Sequence, residues 1–135
     1  MLENKIIIIM IKRNYLDYGK LEVHEFSKKL MDKIDFDSGD YDLNEFLYHE
    51  SLDYCKSNLA VIYLVFYDNK LIAFFSLSSD SIKINNKLNI KLKYYPSMKI
   101  GRLAVDKEYQ SYGIGTWIID WIIGFVMDVR WSHGI

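Results

Sequence analysis

The sequence predicts a mixed α/β domain whose sheet is largely antiparallel and whose last element is a long helix. Three observations lead there. Apolar residues recur at helical spacing through the first half of the chain, then change near Leu59 to consecutive apolar, β-branched and aromatic runs. Two such runs, in LAVIYLVFYDNKLIAFFSLSSDSI, are joined by DNK, which is a hairpin pattern. Finally, two of only seven glycines, Gly113 and Gly115, separate a strand-like run from a helix-like one with no proline or Asp-Gly turn signal.

Taken in order, Ile6 to Ile11 reads as a buried first strand. Leu21, Val23, Phe26, Leu30 and Ile34 then fall at roughly helical spacing among lysines and acids, which predicts a helix over about 19–34. DFDSGDYD breaks that pattern with turn chemistry. A second helix is expected from Leu43 to Lys56, with Asp42 as N-cap and Leu43, Phe46, Leu47, Leu52 and Cys55 on its apolar side. Both hairpin strands are continuously apolar, so both faces of the sheet should be covered. Alternation in SIKINNKLNIKLKYY predicts a half-exposed strand or arm turning at Asn85-Asn86. After the only proline, Pro96, comes a short strand from Ile100 to Val105, then the glycine turn and the long helix. With 135 residues, half of them hydrophobic, and no repeat or linker, residues 1–135 read as one domain.

Composition narrows the chemistry. Seventeen basic residues against eighteen acidic ones leave a formal charge of −1, so no global footprint points to nucleic acid or an anionic membrane. Locally, Lys83, Lys87, Lys91, Lys93, Lys99 and Arg102 fall in a stretch without an acid, either a solvated strand face or an anion-binding surface. The single Cys55 excludes an internal disulfide and a CxxC motif and fits a reducing cytoplasm. The apolar runs are too short for a signal or a membrane span. His24, His49 and His133 lack metal-ligand spacing, and the acids from Asp32 to Asp42 lack the calcium-loop pattern, so no metal site is expected. A general base could sit among those acids or at Glu45, Glu50, Ser78 or Asp80, and the residues do not choose one.

The glycine turn is the one stretch with chemistry of its own. A helix start carries open N–H groups and the positive end of the helix dipole. Glycines there let the backbone come within hydrogen-bond range of a phosphate. No Gly-Lys-Ser/Thr ending makes it a P-loop, and its late position does not suit a dinucleotide fold. The same letters would also serve an αL turn with close helix packing.

The segment GRLAVDKEYQSYGIGTWIIDWI resembles the acetyl-coenzyme A motif of the Gcn5-related N-acetyltransferases, Gln/Arg-x-x-Gly-x-Gly/Ala, at Gln110, Gly113 and Gly115. The upstream order of elements is similar too, and FDSGDYDLNEFL, IAFFSLSSD and KIGRLAV look like the toxin-type branch that modifies aminoacyl-tRNA. The resemblance implies that Leu103, Ala104 and Val105 form the edge on which the pantetheine arm lies. It implies that Gln110, Ser111, Tyr112, Gly113, Ile114, Gly115 and Thr116 surround the pyrophosphate. An amine would attack the thioester, with a backbone N–H near Val105 holding the oxyanion.

Members of the family continue past this helix with a further strand, a helix that often carries a tyrosine acid, and closing strands, whereas this sequence stops at VRWSHGI. The resemblance therefore implies a fold lacking those C-terminal elements, no assignable catalytic acid, and weak activity. It further implies an exposed strand edge and an exposed helix face at Trp117, Ile118, Trp121, Ile122, Phe125 and Val126, favouring a homodimer. Three functions stay open: an acetyltransferase on a small amine or protein amino group, a toxin-type enzyme acting on charged tRNA with an antitoxin repressor as partner, and a non-catalytic coenzyme-binding or dimerising remnant.

Overall fold

The computed structural model describes residues 16–32, 34–57, 60–83 and 94–132. The strand predicted at Ile6 to Ile11, the Asn85-Asn86 turn, the lysines from Lys87 to Lys93 and His133 lie outside them.

Among the described residues four strands make one antiparallel sheet in the order β1-β2-β3-β4: β1 (Leu21–Glu25), β2 (Val61–Tyr67), β3 (Lys70–Lys83) and β4 (Tyr94–Val105). The β2–β3 connection is as tight as DNK implies. Asp68 and Asn69 both take positive φ, 47° and 64°, the geometry whose twist matches the flanking strands. Strand β4 is longer than expected and carries Pro96, which a strand at the edge of the described sheet tolerates.

The helix predicted over 19–34 is not there. Leu21 and Val23 point to one face of the sheet as β1 pairs with β2, Leu21 opposite Tyr67 and Glu25 opposite Tyr63. Leu21, Val23, Phe26, Leu30 and Ile34 fit a helical period loosely, but pairing with a distant strand decides the outcome, and β-branched Val23 suits it. Beyond β1 the chain turns once as a 3-10 segment, Lys28–Met31, with Leu30 N–H donating to Ser27 Oγ at 3.3 Å.

The second helix is present and starts earlier: α1 (Tyr41–Glu45), a π segment (Phe46–Glu50) and α2 (Ser51–Lys56) run on from one another. Asp40, not Asp42, is the N-cap, its carboxylate accepting from Leu43 N–H at 3.1 Å. Asp42 lies inside the first turn, where a negative charge favours the helix dipole. The long helix is α3 (Ile114–Ser132). No helix among the described residues is long and apolar enough to cross a membrane.

Both faces of the sheet are covered, as the continuous apolar strands require. On one face Val65, Ala73, Phe75 and Leu77 pack with Ile114, Ile118 and Ile122 of α3. On the other, Leu64, Phe74 and Ala104 pack with Phe36, Phe46 and Leu47. Trp117, Trp121, Phe125 and Val126 join the α3 face, so the surface expected to be left open is closed by the chain's own sheet. Among the side chains described, α3 exposes Ile119, Ile123 and Met127, a separate stripe at four-residue spacing.

Candidate donor site at the end of the fourth strand

The last residues of β4 have a defined polarity. Arg102 N–H donates to Ser76 Oγ at 2.9 Å and Asp106 N–H to Ile72 O at 2.7 Å, both toward β3. Because successive amides alternate in direction, Leu103 and Val105 present theirs to the outer edge of β4, which no described strand pairs. The Leu103 and Val105 side chains pack toward α3, while Ala104 is buried on the opposite face. An extended amide-bearing ligand could add to this edge as a strand does.

After Val105 the chain is fixed by Asp106, a buried carboxylate. One of its oxygens accepts from Glu108 N–H at 2.9 Å and the other from Asp37 N–H at 3.1 Å. Lys107 N–H donates to Asp37 O at 2.8 Å, and Gln110 Nε2 donates to Ser38 O at 2.7 Å and to Val105 O at 3.0 Å. The loop from Phe36 to Asp40 is thereby tied to the turn across some seventy residues of sequence. Its far side is held by Asn44, whose Oδ1 accepts from Ser38 N–H, and by Tyr48, whose hydroxyl exchanges hydrogen bonds with both polar groups of Phe36.

Gly113 has φ +76° and Gly115 does not need special backbone freedom. A Cβ on Gly113 would lie 2.8 Å from the Tyr18 hydroxyl, which donates to Tyr112 O. Glycine is thus required at 113 by conformation and by Tyr18, rather than solely by space for a ligand. A Cβ on Gly115 would meet nothing within 4 Å, so that position faces open space. Trp117 is the first residue whose N–H reaches back into the helix start, to Gly113 O at 3.0 Å. The amides of Ile114, Gly115 and Thr116 are the open donors of the α3 start.

The predicted residues divide accordingly. Gly113, Gly115, Ser111 and Thr116 surround the open helix start, whereas Ile114 is a buried anchor in the α3 core and Tyr112 packs beside Tyr109. The side-chain amide donor of Gln110 is engaged within the protein, so Gln110 shapes the turn. Tyr18 and Asp106 were not singled out, Tyr18 without a signal and Asp106 with one, an acid at a strand end. Asp37 and Ser38 were read only as part of the turn segment FDSGDYDLNEFL, and Asp37 as one of the acids offered for a general base, not as the residues that fix the glycine turn.

Charge around the turn is paired. Lys70 contacts Glu108 at 3.1 Å and Lys107 contacts Asp37 at 3.1 Å, and each lysine is raised above its ordinary pKa chiefly by that hydrogen bond. The Asn44 amide, the Gly39 N–H and Lys107 hold Asp37 down at about 2, which makes it a weaker base than an ordinary carboxylate. Burial pushes the Cys55 thiol up, consistent with a packed side chain rather than a nucleophile. An anion at this turn would therefore be received mainly by backbone amides.

Farther back along the sheet, β4 bulges. Ser76 pairs with Arg102 and Leu77 with Ile100, leaving Gly101 as the extra residue. A Cβ there would approach Ser76 Oγ to 2.9 Å, the same oxygen that accepts from Arg102 N–H. A cavity of about 450 Å³ lined by Glu25, Cys55, Ala60, Val61, Leu77, Ser78 and Ser79 lies at this level. Among the described residues no cluster of His, Cys, Asp and Glu could hold a metal ion.

Comparisons with known proteins agree with this geometry. A family model described as the acetyltransferase (GNAT) family matches residues 23–131. A comparison with curated proteins finds no match. Among solved structures, a crystal structure of a KacT point mutant superposes with a TM-score of 0.72 at 23% identity, covering 86% of this chain and 74% of that one. AtaTR bound with AcCoA gives 0.70 at 21%, covering 87% and 74%. AtaT complexed with acetyl-methionyl-tRNAfMet gives 0.70 at 20%, covering 85% and 74%. The chain belongs to the acetyltransferase (GNAT) family and is an N-acetyltransferase, with acetyl-coenzyme A as its acyl donor.

Proposed function

We propose that this enzyme is of the toxin type and transfers the acetyl group to the α-amino group of aminoacyl-tRNA. The observation that carries the donor half is the outward edge at Leu103 and Val105 running directly into the open amides at Ile114 to Thr116. The pantetheine arm pairs with the edge, and the pyrophosphate lies against the turn formed by Gln110, Ser111, Tyr112, Gly113, Ile114, Gly115 and Thr116. The amine nitrogen attacks the thioester carbonyl, an outward N–H of β4 receives the oxyanion, the carbon–sulfur bond breaks to release the thiolate, and the proton lost by the amine passes through solvent to that thiolate. Most of the rate comes from holding both reactants in place. The acceptor half is supported by the neighbours, one of which is AtaT with acetyl-methionyl-tRNAfMet.

Other neighbours are AtaT with the C-terminus of the antitoxin AtaR and a KacTA-DNA complex, which supports an antitoxin repressor as partner here. A cytoplasmic setting follows from a tRNA acceptor. A homodimer is supported by the exposed stripe of Ile119, Ile123 and Met127. The deciding experiment is incubation with radiolabelled acetyl-coenzyme A and bulk aminoacyl-tRNA. Label released with the amino acid after mild base hydrolysis of the ester is the expected result, and label found only on protein lysines or polyamines would overturn the reading.

A further inference from the structure

Arg102 stands apart from the other charges among the described residues. Its guanidinium carbon lies 3.8 Å from the centroid of the Phe46 ring and 5.1 Å from that of Tyr54. Phe46 is fully buried, so the cation is pressed against the core. Among the described residues its side chain has neither a carboxylate partner nor a hydrogen-bond acceptor. Partly burying a cation without a partner is unfavourable, and aromatic stacking offsets only part of that cost.

The two rings are brought together by the π segment. Positions 46 and 54 are eight apart, which in an uninterrupted α-helix leaves them about 80° apart around the axis. Ser51 N–H bonds to Phe46 O, five residues back, and this extra residue per turn turns Phe46 and Tyr54 onto one side. Their centroids are 5.0 Å apart, edge to face, and Arg102 lies over both. An aromatic shelf that fixes a planar cation while leaving its N–H edge open is the arrangement in which arginine reads an oxyanion.

The anion is not the donor's. The donor turn begins beyond Val105, three residues or about 10 Å along β4 from Arg102, and the Arg102 side chain lies on the α1–α2 face, opposite that of Leu103 and Val105. The bulge at Gly101 adjoins it. An aminoacyl-tRNA has its reacting amine separated from its first phosphate by the aminoacyl ester and one ribose, a short reach from the outward amides of β4. Resting on the aminoacyl-tRNA reading above, we infer that Arg102 is a specificity residue for the acceptor, contacting the phosphate of its 3′-terminal nucleotide.

The test compares puromycin, an aminoacyl nucleoside without phosphate, with its cytidylyl-cytidylyl derivative, which carries the phosphates. Wild type should acetylate the phosphorylated acceptor with kcat/KM about 10-fold or more above that for puromycin. Arg102→Met should erase that preference through KM, leave puromycin turnover and the KM for acetyl-coenzyme A unchanged, and lower the log-log salt dependence by about one unit. Arg102→Lys, which keeps the charge without the planar fork, should recover part of the preference. A wild type that acetylates both acceptors equally overturns the inference alone. So does an Arg102→Met variant that loses both acceptors alike or raises the KM for acetyl-coenzyme A. A wild type that acetylates neither, nor bulk aminoacyl-tRNA, overturns the aminoacyl-tRNA reading and this inference with it.

Discussion

The two ends of β4 treat charge in opposite ways. At Val105 and beyond, every described lysine near the turn is paired with an acid, and the open groups are neutral amides. At Gly101 and Arg102 the strand bulges and holds a cation whose edge has no described partner. On the reading proposed above, one strand would serve two ligands: fixed dipoles would receive the donor's anion at one end without side-chain rearrangement, and a single oriented charge on the opposite face would select among acceptors at the other.

The comparison is broken most severely at the glycines, which separate structural from ligand effects. Gly113→Val forces a β-branched residue to φ +76° and against the Tyr18 hydroxyl, so it should destabilise by more than about 1–2 kcal/mol and abolish acetyl-coenzyme A binding. Gly115→Val fills open space, so its melting temperature should stay within a few degrees of wild type while calorimetric affinity for acetyl-coenzyme A falls. Equal affinities in Gly115→Val and wild type would remove the phosphate from this turn.

Next in size is Asp106→Ala. It leaves the amides of Asp37 and Glu108 without their carboxylate and should cost about 1.5–3 kcal/mol in urea denaturation. Donor affinity should drop with it, because the turn is fixed through that residue. A smaller effect is expected from pH. Asp37 sits near 2 when folded against an ordinary 3.8, so its stabilisation is fully present above about pH 4 and is lost as the pH falls toward 2. Asp37→Asn should show a flatter stability profile between pH 4 and 2 than wild type. The smallest change is Lys70→Met at an exposed pair with Glu108, within about 0.5 kcal/mol in the same assay.

The donor end was far more legible in the sequence than the acceptor end. Gly113, Gly115 and the strand from Ile100 to Val105 are local signals, readable because a turn and the strand feeding it are contiguous. The hairpin was legible for the same reason. The β1 strand was misread as helix because its conformation is decided by partners more than forty residues away, Leu21 against Tyr67. The stitching of Ser38 to Gln110 and the shelf under Arg102 depend on such distant meetings too, and a π segment has no period of its own for a sequence to display. Asp106 was half legible, as an acid at the end of a strand whose buried partners could not be named.

The two-residue turn at Asp68 and Asn69 also sets an order in time. Joining β2 to β3 closes almost no loop, whereas joining β1 to β2 requires the whole stretch between Glu25 and Val61 to be gathered first. The hairpin is therefore expected to form early and at low cost, and β1, at the margin of the described sheet, to join late. Conservative truncations at Val65 and Ala73 should slow refolding, while one at Leu21 should chiefly hasten unfolding.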